Sequence, residues 1–355
     1  MTAYLNGLAT AVPPHELPQN LVQVKAQAIL GPKYPQFERL LSTFVSSGIE
    51  RRYSVAPFEW FEEPKGWTDR NSLYLQGGTR MFIDAARGAL ADAGWQADEV
   101  DTIVTVTSTG VATPTLEALA LKDMGFRTDV LRVPVFGLGC AGGVSGLAIA
   151  EAQAAARPGS KVLLVVVETC TLSFRSDRMQ KADIIATVLF GDGASAACLS
   201  TENTRADGLN IAFGPGYQHT WIDTLQIMGW DVDDVGLGVI FDRSIPDFAT
   251  EHFADAVYGA LAATDLKPAQ IDRFVCHPGG AKVVDAIERS LGLDQGILDA
   301  EREVLRGYGN MSAPTVLFVL DHVLKAGARG QMMACALGPG FTASFIPLWV
   351  EMADA

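Results

Sequence analysis

Three short stretches hold side chains able to do chemistry together. Cys140 sits in Gly-Leu-Gly-Cys-Ala-Gly-Gly, where the glycines permit a sharp turn from strand into helix and would leave the sulfur at a helix N-terminus. Such a position favours the thiolate and lowers a thiol pKa from about 8.5 toward neutrality. A cysteine in apolar surroundings is more often a small packing residue, but a packing residue does not need the glycine elbow. His277, in Phe-Val-Cys-His-Pro-Gly-Gly, ends an apolar run just before a turn, a suitable place for a base beside a thiol. Asn310, in Tyr-Gly-Asn-Met-Ser, reads by itself as a turn or a helix cap, and its case for chemistry rests on the company it keeps. His15, His219, His252 and His322 lie in polar or turn contexts and read as surface or capping residues.

The elements that must position these residues are announced by an internal repeat. Gly88 to Asp101, GALADAGWQADEVD, is echoed at the same length by Gly259 to Asp272, GALAATDLKPAQID, and each is followed by an apolar run that breaks at turn residues. A second echo, in the same order, pairs LFGDGASA at Leu189 to Ala196 with LGPGFTAS at Leu337 to Ser344. Two ordered echoes predict a duplicated half-domain. Within each half, buried strands alternate with helices, the α/β pattern. The polar stretch Ser200 to Gly208 marks the boundary, giving halves 1–203 and 204–355, and an unrepeated, helix-prone excursion covers about 15–75. From Cys140 onward AGGVSGLAIAEAQAAA carries almost no charge, which predicts a helix buried all round. The offset of 171 from Gly88 to Gly259 sets Cys140 opposite Met311, beside Asn310. Two buried helices are therefore expected to begin side by side, with their free N–H groups converging.

Composition narrows the function classes. With 355 residues and 48% hydrophobic content the chain can bury a large core. A net charge of -14 with no basic stripe argues against nucleic acid. No window approaches about 18 uninterrupted apolar residues and the start lacks a secretory pattern, so a soluble, cytoplasmic protein without membrane insertion is expected. Five scattered cysteines without a CxxC pair argue against a disulfide frame and a zinc site.

Taken together the three stretches resemble the type III polyketide synthases, the chalcone synthase-like branch of the thiolase superfamily. The resemblance rests on Gly139 to Gly143, His277 to Gly280 and Tyr308 to Ser312, and extends to Leu189 to Ala194 and Gly338 to Gly340. It implies the thiolase fold, two duplicated βαβαβ-type halves in an α/β/α/β/α stack, and an acyltransferase. By that resemblance Cys140 is the acyl-carrying nucleophile, and His277 and Asn310 hydrogen-bond the malonyl thioester oxygen as carbon dioxide leaves. It implies acyl-CoA and malonyl-CoA as substrates, no metal or organic cofactor, and a homodimer.

The same resemblance assigns a pocket. Phe190 matches a gatekeeper phenylalanine, and Val239 stands where plant enzymes carry a second one. Cys170 and Ser173 replace two cavity threonines, Trp230 a cavity glycine, and Thr113 a methionine that reaches across the dimer; Ser312 closes the asparagine motif. Arg51 and Arg52 fall where relatives hold the CoA phosphates, although a solvated charged turn reads equally well. Val239, Cys170 and Trp230 favour an aliphatic starter and an alkylpyrone or alkylresorcinol product, with an acyl carrier protein as an alternative donor. The rival readings are a ketoacyl-acyl carrier protein synthase of the initiating type, a cysteine-dependent thioester hydrolase and a silent binding module.

Overall fold

Apolar, β-branched runs form the strands, and their pairing repeats itself from one half of the chain to the other. The computed structural model describes residues 1–34, 37–178 and 180–352. The chain runs β1 (Ala3–Ala11), β2 (His15–Pro18), α1 (Gln19–Leu30), α2 (Leu41–Ser46), β3 (Arg51–Ser54), α3 (Trp67–Ala93), β4 (Thr102–Thr107), α4 (Leu116–Met124), β5 (Leu131–Phe136), α5 (Gly142–Ala156), β6 (Val162–Thr169), α6 (Lys181–Leu189) and β7 (Asp192–Ser200). It continues with β8 (Leu209–Phe213), β9 (Tyr217–Thr220), β10 (Met228–Val232), β11 (Leu237–Phe241), α7 (Ile245–Ala263), β12 (Arg273–Cys276), α8 (Ala281–Leu291), α9 (Asp299–Tyr308), α10 (Thr315–Lys325), β13 (Gly330–Gly338) and β14 (Thr342–Met352).

The large sheet has the order β12-β13-β14-β8-β1-β7-β6-β4-β5. Its centre is a short antiparallel seam, Ala3 opposite Phe213 and Tyr4 opposite Ala212. Outward from that seam the first half pairs antiparallel at β1–β7 and β7–β6, then parallel at β6–β4 and β4–β5. The second half follows the same rule, antiparallel at β8–β14 and β14–β13, then parallel at β13–β12. The duplicated sequence thus appears as duplicated topology. Along this strand order the halves differ at the edge, since among the described residues no strand between α8 and α10 corresponds to β5; β9 also pairs with β14 outside the order.

Strands covered on both faces read as continuous apolar runs, and every residue of β6 and of β7 is buried. Between the two half-sheets lie α5 and α10. Val144 and Leu147 of α5 and Val316, Leu317 and Leu320 of α10 share one core with Val104 and Val166 on one side and Met332 and Ile346 on the other. Phe82 and Leu90 of α3 pack against the outer face of the first half, and Phe253 and Val257 of α7 against that of the second. The result is the α/β/α/β/α stack that the resemblance implies.

The stretch 15–75 is irregular and mostly helical, carrying α1, α2 and the start of α3 at Trp67, with the short strands β2 and β3 pairing antiparallel within it. At the far edge of the sheet, Leu131, Arg132, Pro134 and Phe136 of β5 are exposed. Among the described residues no helix is long and apolar enough to cross a membrane.

The central helices approach at glycine. A Cβ on Gly143 would lie 2.2 Å from the Ala313 carbonyl oxygen. Alanine in place of glycine within a helix ordinarily stabilises by about 1 kcal/mol. Gly143→Ala is expected to do the opposite here, destabilising by about 1–3 kcal/mol as the backbones are forced apart, which urea unfolding measures.

Candidate active site

The turn that presents Cys140 needs its glycines. After β5 the chain reverses through Gly137 (φ 89°) and Gly139 (φ 48°), both in the left-handed region that glycine tolerates best, and a short 3₁₀ turn, Gly139–Ala141, leads into α5. The opposite wall is equally close, since a Cβ on Gly338 would lie 2.6 Å from the Leu138 carbonyl oxygen and 2.7 Å from Ala141. The Gly338-Pro339-Gly340 motif and the cysteine elbow therefore interlock. Cys140 is 8% exposed.

Asn310 reaches the same place from the second half. The backbone joins it to Phe190 as a parallel bridge: Asn310 N–H donates to the Leu189 carbonyl at 2.8 Å and Gly191 N–H to the Asn310 carbonyl at 3.0 Å. Its side-chain amide is oriented by two backbone groups. Oδ1 accepts from Ser312 N–H at 2.7 Å, and Nδ2 donates to the Gly279 carbonyl at 3.1 Å. Only one orientation of the amide satisfies both partners, and it sets Oδ1 4.0 Å from Cys140 Sγ. The bond to Ser312 is a local turn, as the asparagine read alone suggests. The bond to Gly279 ties the asparagine motif to the His-Pro-Gly-Gly motif. Asn310 is no cap of α10, which begins five residues later at Thr315.

His277 directly follows β12, donates its N–H to the Cys335 carbonyl at 2.8 Å and is 4% exposed. Neither ring nitrogen has a hydrogen-bond partner among the described residues. Burial pushes the Cys140 thiol up to about 11, with the Glu168 charge adding to the rise, and hydrogen bonding with Ser312 and Asn310 opposes it only in part. Burial also pushes His277 down to about 3. The low thiol pKa expected from the helix end is thus not met in the unliganded site, because loss of water outweighs the helix end.

Cys140, Ser312, Cys170, Phe190, Trp230 and Val239 line one cavity. Trp230 and Val239 are cross-strand partners on the β10–β11 hairpin, and the Trp230 indole meets Phe190 edge to face at 6.3 Å. The room left by a small Val239 is therefore walled on one side by the indole. A second cavity of about 570 Å³, counting its open mouth, shares Cys170 and Phe190 with the first. Its walls are mostly apolar, with Leu17, Val22, Ala26, Ile29, Phe58 and Phe61, but include Arg52, Thr171 and Thr187; Lys25, which also lines it, pairs with Glu62 at 2.5 Å. Ser173 lines this second cavity and not the first, its hydroxyl donating to the Cys170 carbonyl at 2.7 Å. Thr113 is exposed and does not line the Cys140 cavity within one chain.

The arginine pair separates. Arg51 is exposed, whereas Arg52 is 2% exposed and its guanidinium donates to the Phe190 carbonyl, so the expected phosphate contact fails for Arg52. Residues on a strand alternate faces, and these two are neighbours on β3. Cations gather elsewhere. A third cavity, bounded by Gly279 to Val283 of the histidine motif, carries exposed Lys181, Arg243 and Lys282, none in an ion pair among the described residues. These three went unnoticed in the sequence because they come from separate segments. So did Glu168, a buried carboxylate accepting from Ser108 N–H at 2.9 Å, the Ser108 hydroxyl at 2.7 Å and the Thr109 hydroxyl at 2.7 Å, and pushed up by burial to about 7. Its only signal was a lone carboxylate ending an apolar strand. Among the described residues no cluster of His, Cys, Asp and Glu could hold a metal ion.

A duplicated, five-layered α/β fold with a cysteine at the head of its central helix defines a thiolase-fold acyltransferase. Residues 61–203 match the N-terminal domain of chalcone and stilbene synthases and residues 217–348 the C-terminal domain, so the chain belongs to that family, the type III polyketide synthases, which catalyse decarboxylative condensation. The 1,3,6,8-tetrahydroxynaphthalene synthase of Streptomyces peucetius subsp. caesius is 35% identical over 348 residues, covering 96% of this chain and 91% of its own. An alpha-pyrone synthesis polyketide synthase-like protein of Mycobacterium tuberculosis is 29% identical over 355 residues, covering 96% and 89%. In structure the chain is similar to the 1,3,6,8-tetrahydroxynaphthalene synthase of Streptomyces coelicolor A3(2), a bacterial type III polyketide synthase, with a TM-score of 0.92, 24% identity and coverage of 99% and 100%.

All five cysteines are free and buried, but Cys198, Cys276 and Cys335 are 0–1% exposed, and Cys140 is the most exposed at 8%. Limited iodoacetamide treatment of the folded protein should therefore place its first adduct on Cys140, read by peptide mass mapping.

Proposed function

We propose that this enzyme loads an aliphatic acyl-CoA starter on Cys140, extends it with malonyl-CoA and cyclises the product to an alkylpyrone or alkylresorcinol. The Cys140 sulfur attacks the starter thioester while His277 takes its proton; coenzyme A leaves as the free thiol and the acyl group stays on sulfur. Malonyl-CoA then binds. Loss of carbon dioxide leaves its electron pair as an enolate, whose oxygen accepts from His277 and from the Asn310 N–H that Gly279 does not use. The enolate carbon attacks the acyl carbonyl, the carbon–sulfur bond to Cys140 breaks, and a β-ketoacyl-CoA is released from sulfur.

The observation that carries this reading is the oriented Asn310 amide, 4.0 Å from Cys140 Sγ and joined through Gly279 to the histidine turn. Coenzyme A is anionic and the chain carries a net charge of -14, so a local basic rim is needed. Lys181, Arg243 and Lys282 supply one at the cavity beside the His-Pro-Gly-Gly turn, with Arg51 as a further candidate. The aliphatic starter is supported by the apolar second cavity that meets the Cys140 cavity at Cys170 and Phe190. A cytoplasmic homodimer belongs to the same reading, supported by the exposed apolar side chains Val111, Leu131 and Phe136 around the edge strand β5, near Thr113. So does the division into halves 1–203 and 204–355, supported by the repeated strand order.

Carbon dioxide release from malonyl-CoA tests the donors. Asn310→Ala and His277→Gln should each lose about 3 kcal/mol of transition-state stabilisation, a hundredfold or more in rate, while Phe190→Ala loses far less. An Asn310→Ala protein that decarboxylates at the parent rate would reduce Asn310 to a turn residue. In parallel, Cys140→Ala should give no acyl adduct by intact mass, and a protein that hydrolyses acyl-CoA without decarboxylating malonyl-CoA would be a hydrolase.

The second cavity makes its own prediction. Ala26→Phe puts a ring into the apolar space, so long starters should lose kcat/KM relative to short ones by about 1–3 kcal/mol. A thermal melt guards against overpacking, and an unchanged ratio in a folded variant would show that the acyl chain lies elsewhere.

A further inference from the structure

The arginine that the sequence assigned to phosphate is bound to the backbone of the site instead. Arg52 Nη1 donates to the Phe190 carbonyl at 2.5 Å and Nε to Gln19 Oε1 at 3.2 Å, and Gln19 Nε2 donates in turn to the Val188 carbonyl at 2.9 Å. Two glycines enclose its aliphatic stem. A Cβ on Gly309 would lie 2.7 Å from Arg52 Cγ and Cδ, and one on Gly191 would lie 3.4 Å from Arg52 Cβ. These glycines are the chain neighbours of Asn310 and Phe190, the two residues that the backbone bridge joins. One side chain thus fills the space on both sides of the bridge and satisfies one of its carbonyls.

We propose that Arg52 is a positioning residue: by holding the Phe190 carbonyl and packing between Gly191 and Gly309, it fixes the register that sets the Asn310 amide beside Cys140. The inference rests on the reading in which Asn310 donates to the thioester oxygen. Its physical basis is that a flat guanidinium can bind a carbonyl and an amide oxygen in two fixed directions, which neither an apolar stem nor a single ammonium reproduces. Without it a buried carbonyl next to Phe190 loses its partner, and the bridge is free to shift. The negative charge of Asp192, whose carboxylate is held by Thr171 and Val55, favours the charged guanidinium, although Nη2 has no hydrogen-bond partner among the described residues. Burial lowers Arg52 only to about 10, so it remains charged at neutral pH.

The test separates positioning from phosphate binding. Arg52→Met keeps an unbranched apolar stem and removes the guanidinium; Arg52→Lys restores charge without the fork; Gln19→Leu removes the partner that orients Nε. Each folded variant is assayed for carbon dioxide release from malonyl-CoA, and its affinity for coenzyme A is measured by calorimetry. Arg52→Met should lower kcat by roughly ten- to a hundredfold, because small misplacements are expensive at a reacting centre. KM and the Kd for coenzyme A should stay within about twofold, since ground-state binding is untouched. Arg52→Lys should recover part of the loss, and Gln19→Leu should show a smaller loss of the same kind. A raised KM or Kd with unchanged kcat would make Arg52 a phosphate ligand and overturn the inference. An unchanged kcat in folded Arg52→Met does so too, as does an unchanged Gln19→Leu if Arg52→Met does not fold. The parent enzyme keeps the two levels apart: with active parent and unaltered variants only the Arg52 inference fails, whereas a parent that releases no carbon dioxide from malonyl-CoA overturns the condensing reading beneath it.

Discussion

Gly143 lets the backbone of α5 come so near the second half that a methyl group there would overlap the Ala313 carbonyl. The rest of the site follows from that approach. Two helices that begin against each other bring the turns leading into them to the same place. The turn before α5 carries Cys140, and the segment before α10 carries Asn310 and Ser312. Bulkier residues at Gly142, Gly143 or Gly338 would separate those segments, so the small residues around the cysteine shape the site rather than merely loosening the chain. The first two turns of α5 are buried on every side, as its uncharged sequence predicts, but the expectation fails beyond Leu147, where Ala152 and Ala156 are exposed and Glu151 is half-buried because the helix end leaves the space between the half-sheets.

Burial has an electrostatic consequence. Cys140, His277, Glu168, Asp192 and Arg52 are all removed from water, and in each case desolvation is the largest influence, favouring the uncharged form. Glu168 and Asp192 are compensated by dense hydrogen bonding and Arg52 by Asp192 and two acceptors. His277 has no such compensation. Burial thus favours the neutral thiol of Cys140 and the neutral imidazole of His277.

The cavities differ in the chemistry of their linings. Cations from α6, from the segment before α7 and from the start of α8 surround one opening beside the histidine turn. Apolar side chains from α1 and the turn at Phe58–Glu62 surround another, on the far side of Cys170 and Phe190. Phe190 borders both the apolar cavity and the Cys140 cavity, with its carbonyl held by Arg52, its ring against Trp230 and its backbone bridged to Asn310. The helical excursion, which has no counterpart in the second half, is what gives this symmetric fold an asymmetric pocket.

Much of this was legible in the sequence, and the reason is local. The Gly-rich elbow at Cys140, the His-Pro-Gly-Gly turn and the Tyr-Gly-Asn-Met-Ser turn specify backbone conformations within a few residues, so their types and spacing carry the chemistry openly. The duplication and the alternation of strands and helices are likewise periodic properties of the chain. What the tertiary structure decided depends on which faces are covered and which distant segments meet. Only packing turned Arg52 inward while its neighbour Arg51 stayed in water, set Trp230 across the hairpin from Val239, gathered Lys181, Arg243 and Lys282 at one rim, and removed enough water to raise the Cys140 thiol that a helix end alone would have lowered. Desolvation and side-chain convergence are sums over neighbours far apart in the chain, and no short motif contains them.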